Sequence, residues 1–131
     1  MRFLSPKPML TEVELRYLTN LDHTSHDALA ALAPDGRIVA VARYAAWRPG
    51  LAELAIEVID EYQGRGIGPQ LLERTIELAR ANGYCRLTAS ILWENLRART
   101  LFKRLGFRAT GSAGGVVDVA REVCPATVVA A

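Results

Sequence analysis

The stretch that most restricts how this chain can fold runs from residue 51 to residue 82. Residues 51–59 alternate in part, with Leu54, Ile56 and Val58 on one side and Glu53, Ala55 and Glu57 on the other. That is the two-residue period of a half-buried strand. A short acidic corner, Asp60-Glu61-Tyr62, leads into Gln63-Gly64-Arg65-Gly66-Ile67-Gly68. Directly after it, residues 69–82 place Leu71, Leu72, Thr75, Ile76, Leu78 and Ala79 at helical spacing, opposite Glu73, Arg74, Glu77 and Arg80. Pro69 at the predicted first helical position and Asn82-Gly83 at the end supply start and stop signals. Glycines at a strand-to-helix turn let backbone N–H groups approach a ligand, and the helix start adds positive potential. The arrangement predicts a phosphate or pyrophosphate site. Spacing removes two familiar designs: a dinucleotide fingerprint needs a further glycine where Pro69 stands, and a Walker loop needs Lys-Ser/Thr where Pro69-Gln70 stands.

The rest of the chain fits around this unit. Its 131 residues are half hydrophobic, enough for one domain over residues 1–131 with a core that needs no disulfide or metal. Residues 10–20 carry Val13, Leu15, Tyr17 and Leu18 after two prolines, which predicts a helix. Residues 28–33 and 38–44, joined by Pro34-Asp35-Gly36-Arg37, read as an antiparallel hairpin. A strand is expected over residues 85–92. Residues 95–105 then put Ala98, Leu101, Phe102 and Leu105 on one helical face, with Gly106 closing the helix and Phe107 packing back over it. Gly111 to Gly115 reads as a flexible stretch, residues 116–123 as a final strand and residues 125–131 as a loose tail. This order predicts a mixed α/β (α+β) fold around one sheet.

Composition excludes several function classes. The net charge is +2, with basic and acidic residues interspersed, so no basic stripe for nucleic acid is present. Cys85 and Cys124 form no Cys-x-x-Cys pair, which argues against zinc and against a disulfide framework and predicts free thiols in a reducing cytoplasm. His23 and His26 lack a third ligand at a recognised spacing, so no metal site is expected. No apolar run approaches the roughly 18 residues of a membrane span. A soluble, cytoplasmic protein is expected.

Gln63, Gly66 and Gly68 match the Gln/Arg-x-x-Gly-x-Gly/Ala motif of the GNAT superfamily of N-acetyltransferases. Asn95, Ala98, Phe102 and Lys103-Arg104-Leu105-Gly106-Phe107 resemble the second cofactor motif of the same superfamily, in the same order along the chain. Phe3-Leu4-Ser5-Pro6-Lys7 and Ala52-Glu53-Leu54-Ala55 are similar to segments of the GNAT domains of bacterial protein lysine acetyltransferases. In those domains the first of these segments follows a strand and a helix, whereas here it stands at the N-terminus. The resemblance therefore implies a GNAT fold, with a mostly antiparallel mixed sheet flanked by helices, that lacks its first strand and helix.

The resemblance also implies acetyl-CoA as cofactor and an amine, protein lysine or small molecule, as acceptor. Pantetheine would lie along Ile56, Glu57 and Val58, with Val58 the best-placed backbone donor. The pyrophosphate would sit on the amides of Gly64, Arg65, Gly66, Ile67 and Gly68, Arg65 adding charge and Pro69 costing one amide contact. Gln63 belongs to this cofactor motif. Asn95 would meet the pantetheine arm, or it is simply a helix N-cap. Phe102 stands where many relatives carry a Tyr that protonates the departing thiolate. It has no proton to give, so core packing is its expected role. Arg97, Arg99, Lys103 and Arg104 form a basic helix side from which one residue could reach the ribose phosphate. Glu53 is the implied general base, with Glu57 the alternative. A sheet without its first strand should expose residues 28–33 as an edge, which predicts a homodimer. Two functions remain open: N-acetyl transfer by direct attack in a ternary complex, and a non-catalytic acyl-CoA-binding module.

Overall fold

A computed structural model describes residues 14–17 and 22–124. Among these, β1 (Glu14–Tyr17), β2 (His26–Leu32), β3 (Ile38–Arg48) and β4 (Leu51–Val58) are followed by a single 3-10 turn at Asp60–Tyr62 and helix α1 (Ile67–Ala81). Then come β5 (Arg86–Leu92), helix α2 (Leu96–Arg104), β6 (Arg108–Ala113) and β7 (Val116–Glu122). The seven strands form one sheet in the order β1-β2-β3-β4-β5-β7-β6. All neighbours run antiparallel except β4 and β5. This is the mixed, mostly antiparallel sheet with helices that the resemblance implies.

Strand alternation and the helical period decide what is buried. Leu72, Ile76 and Ala79 of α1 and Phe102 of α2 share one core with Leu54, Leu87, Ala89, Ile91, Val117 and Val119 of the sheet. Ile67 and Leu71 of α1 share a second with Leu29, Ala31, Val39, Ala40 and Ala42. Both helices therefore cover one face of the sheet, and each fully buried Leu or Ile contributes about 1.5–3 kcal/mol over an exposed one. On β4 the opposite face carries Glu53, Ala55 and Glu57, the last two exposed. The Asp-Gly turn forms as expected: Gly36 has φ 90°, its N–H donates to the Ala33 carbonyl, and Asp35 Oδ1 accepts the Arg37 N–H.

Five expectations are corrected. The helix predicted over residues 10–20 is replaced, in its described part, by strand β1, whose Leu15 packs against the second core. Pairing with β2 satisfies backbone groups that a lone helix turn would not, so tertiary context overrides the local pattern. In the register Glu14↔Leu32 to Tyr17↔Leu29, β1 also covers the edge on which the homodimer was predicted. That basis for association is removed. Residues 111–115 are not a flexible stretch. β6 pairs with β7 through Ala113↔Val116, and Gly114 and Gly115, with φ 61° and 79°, make the tight hairpin turn. Every residue of β6 is exposed, so it carries no apolar period by which a sequence could show it. Pro69 is the third residue of α1, which starts at Ile67. The segment at residues 3–7 and the tail at 125–131 lie outside the described residues.

The fifth correction concerns the cysteines. Cys85 and Cys124 are joined in a disulfide, with Cα atoms 5.0 Å apart. The β5–β7 ladder brings them together: Arg86 pairs with Glu122, and the Val123 N–H donates to the Cys85 carbonyl at 2.8 Å. Two residues distant in sequence thus meet at the end of adjacent strands, which spacing along the chain does not reveal.

Polar contacts fasten the same end of the domain. The Tyr44 hydroxyl donates to the Thr24 carbonyl at 2.6 Å and accepts from Asn82 Nδ2 at 2.8 Å, tying the entry of β2 to the end of α1. Burial pushes the Tyr44 pKa up, which keeps this hydroxyl a neutral donor. Asp22 accepts from the Ser25 hydroxyl and from the Thr24 and His26 N–H groups, and these bonds hold its carboxyl well below the usual range. His23, at φ 57°, places Nδ1 2.7 Å from the buried Asp27 carboxylate.

With 39 residues between its ends, the disulfide is expected to contribute about 3–4 kcal/mol of stability. Reduction, or Cys124→Ser, should lower the urea midpoint accordingly. Two titratable thiols in the denatured, non-reduced protein would contradict the bond.

Candidate functional site

β4 and β5 pair only through Leu51↔Arg86, Ala52↔Leu87 and Glu53↔Thr88. Beyond that point residues 54–58 and 89–92 part, while β4 stays paired to β3 as far as Ala40↔Val58. The Ile59 N–H donates to the Val39 carbonyl at 3.0 Å, on the β3 side. Alternation then turns the backbone groups of Val58 and Ile56 to the other side, into the gap between β4 and β5. A rigid strand edge is held open there, with the Val58 N–H and the Ile56 backbone groups turned into the gap and the Val58 carbonyl taken by Gln63 Nε2.

The glycine turn closes one end of this gap. Gly64 and Gly66 have φ 78° and 81°, the left-handed region that favours glycine. Gly66 caps α1 without a side-chain hydrogen bond, and no acidic residue sits in the first turn. The leading N–H groups of a helix have no intrahelical acceptor, so this end carries undispersed positive potential. A Cβ on Gly68 would stand 3.6 Å from Leu101 Cδ2 and 3.9 Å from both Ile56 Cδ1 and Val58 Cγ2, which marks where α1, α2 and β4 converge. Ile67, only 2% exposed, pins the turn to the second core. An open strand edge leading to an uncapped helix start fits a long, partly peptide-like ligand ending in phosphates, which is the shape of CoA.

The nominated side chains divide into those that face the gap and those that build it. Gln63 donates from Nε2 to the Val58 carbonyl at 3.0 Å and to Asp60 Oδ1 at 3.3 Å, so it clamps the end of β4 and its donors are committed. The Arg65 guanidinium lies over the Tyr62 ring, 4.6 Å from its centroid. Asn95 is the N-cap of α2, its Oδ1 accepting the Ala98 N–H at 3.0 Å, so of the two readings left open the cap is realised. Phe102 is buried and meets Phe107 edge-on at 5.0 Å, with its ring in the core. Glu53 stands half-buried on the sheet face opposite the two helices, at the last paired position before β4 and β5 separate. Glu57 is exposed on that face, opposite Val41.

Two further features escape sequence reasoning. The Arg97 Nη1 lies 3.4 Å from where a Gly64 Cβ would be, so a side chain of α2 reaches over the turn. Ser90 Oγ donates to Asp118 Oδ1 at 2.8 Å, which brings a β7 carboxylate to the same sheet face as Glu53. Neither is visible along the chain, because each depends on how separate elements pack.

A family model described as the Acetyltransferase (GNAT) family matches residues 3–107. The chain is 38% identical over 88 residues to the L-methionine sulfoximine/L-methionine sulfone acetyltransferase of Pseudomonas paraeruginosa, covering 63% of this chain and 51% of that protein. It is 35% identical over 103 residues to the acetyltransferase Pat of Mycolicibacterium smegmatis, covering 73% of this chain and 30% of that one. Among solved structures, the GNAT domain of S. lividans PAT superposes with a TM-score of 0.73 at 31% identity, over 79% of this chain and 64% of that chain. The chain thus spans about half the length of the first relative.

The glycines are expected to differ in what they tolerate. Gly66→Asp puts a side chain and a negative charge at a left-handed cap facing the anion, and should abolish CoA binding. Gly68→Ala adds a methyl at ordinary contact distance and should retain binding within about threefold, a loss of under ~1 kcal/mol. Calorimetric titration with CoA checks both; undiminished binding by Gly66→Asp would remove the turn from the site.

Proposed function

The chain belongs to the acetyltransferase (GNAT) family, and from that premise we propose that it transfers an acetyl group from acetyl-CoA to a primary amine by direct attack within a ternary complex. The observation that carries the reading is the separation of β4 from β5 beyond Glu53 and Thr88, leading to the uncapped start of α1. Acetyl-CoA supplies the thioester acyl group. Ile56 and Val58 offer backbone groups to the pantetheine arm, and residues 64–68 offer amides to the pyrophosphate.

Glu53 acts as general base. A lysine-like acceptor has a pKa near ~10.4 and arrives as ammonium, so it must lose a proton before its nitrogen can attack. Glu53 is on the open face at the point where the gap begins, so it meets an acceptor arriving from that side while the cofactor lies along the strand edge. Glu57 sits farther along β4, beside the stretch assigned to pantetheine. Attack by the neutral nitrogen forms the C–N bond, the C–S bond breaks with its electron pair on CoA sulfur, and the nitrogen gives up its second proton, to that thiolate or to water, as the amide forms. An ordinary thiol ionises near ~8.5, so that sulfur departs without an obligatory acid. One relative is named for methionine derivatives and the other, acetyltransferase Pat, carries no acceptor in its name, so the acceptor is proposed only as far as a primary amine, in a protein or a small molecule.

Burial of Phe102 favours a second reading, a module that binds acyl-CoA without transfer. A thiol-release assay over a panel of lysine peptides and amino acids, run beside calorimetric titration of acetyl-CoA, separates the two. Saturable binding with no release from any amine would select the second.

Glu53→Gln keeps the shape and removes the basicity. It should leave acetyl-CoA affinity within about twofold and lower turnover by roughly 100-fold at neutral pH, with partial recovery as pH rises and more acceptor is neutral. Undiminished turnover, or an equal loss of cofactor affinity, would remove Glu53 from this role.

A further inference from the structure

We propose that Arg97, at the start of α2, is the side chain that closes over the CoA pyrophosphate in the glycine turn. The inference rests on the proposed cofactor and adds a ligand that the turn itself lacks. Within the turn, Gln63 has its amide donors on the Val58 carbonyl and Asp60, and Arg65 rests on the Tyr62 ring. The backbone there supplies N–H groups, and the turn's own cation, Arg65, is engaged with the Tyr62 ring. Arg97 supplies one from the other helix. Its Nη1 stands 3.4 Å from the position of a Gly64 Cβ, and among the described residues its guanidinium makes no ion pair or hydrogen bond. Arg99, two residues on, takes a different path: it stacks on Trp93 at 4.0 Å and donates to the Trp93 carbonyl.

This placement gives Gly64 a second duty. Its φ of 78° already favours glycine, and the missing Cβ leaves room for the guanidinium beside the backbone amides. A planar guanidinium presents paired N–H donors that match two phosphate oxygens, and backbone N–H groups on the far side complete an enclosure. The anion would then lie between the start of α1 and the Arg97 fork, held from both helices. Because Arg97 sits on the turn rather than out along the ribose, the geometry points to the pyrophosphate and not to the 3′-phosphate.

Calorimetry with CoA, 3′-dephospho-CoA and pantetheine tests this on the wild type, Arg97→Gln, Arg97→Lys and the control Lys103→Gln, each checked by thermal melting. Arg97→Gln should weaken CoA and dephospho-CoA equally, by roughly tenfold, leaving pantetheine unchanged and kcat near the wild-type value while KM for acetyl-CoA rises. Arg97→Lys should recover part of the loss, and Lys103→Gln should match the wild type. A loss confined to CoA would assign Arg97 to the 3′-phosphate and overturn the proposal, as would wild-type affinity in Arg97→Gln. A wild type that binds no CoA would instead refute the cofactor reading itself.

Discussion

The site depends on the second half of β4 being paired on one side only. Three parallel pairs with β5 fix its first half, and the parallel step forces a crossover, supplied by α1. Beyond Glu53 the two strands separate, yet β4 remains bonded to β3 along its length. The unpaired edge is therefore stiff. An unpaired edge is ordinarily an aggregation hazard; here it is an internal cleft, roofed by the meeting of α1 and α2 at Gly68. The same glycine that shortens the helix-to-strand distance keeps the cleft narrow. A side chain longer than alanine's methyl there would separate Leu101 from Ile56 and Val58, weakening the core and the cleft together.

Much of this was legible in the sequence because it is local. The β4 alternation, the glycine turn and the amphipathic α1 are contiguous, and their order is enough to nominate a phosphate site. What was not legible is what needs two distant segments. The Cys85–Cys124 bond appears only once β5 and β7 are known to be neighbours. β6 is exposed on both faces, so it leaves no hydrophobic trace. The spacing of Val13, Leu15, Tyr17 and Leu18 after two prolines favours a helix where β1 forms, because so short a run separates the two periods poorly. Its identity is set by the edge of β2, which is outside its own sequence.

Motif residues also proved to have structural duties that a pattern match cannot separate from ligand contacts. Gln63 belongs to the family signature, yet its amide holds the Val58 carbonyl and so fixes where β4 ends. Asn95 belongs to the second motif, yet its carbonyl oxygen starts α2. Both set the position of backbone that would meet the cofactor. Replacing either would disturb binding without removing a direct contact, so loss of binding alone does not identify a ligand.

The distribution of titratable groups follows from which proton transfer is harder. In the proposed reaction the acceptor must surrender a proton bound about two pK units more tightly than one on a free thiol, from reference values near ~10.4 and ~8.5. A base at the cleft mouth is then the stronger requirement, and the open face carries Glu53 there with Glu57 farther along β4. An acid for the thiolate is the weaker requirement. At position 102 the chain has instead a phenyl ring locked against Phe107, which strengthens the packing of α2 and offers no proton. The helix-covered face thus holds the cleft in shape, and the carboxylates proposed for transfer stand on the other face of β4.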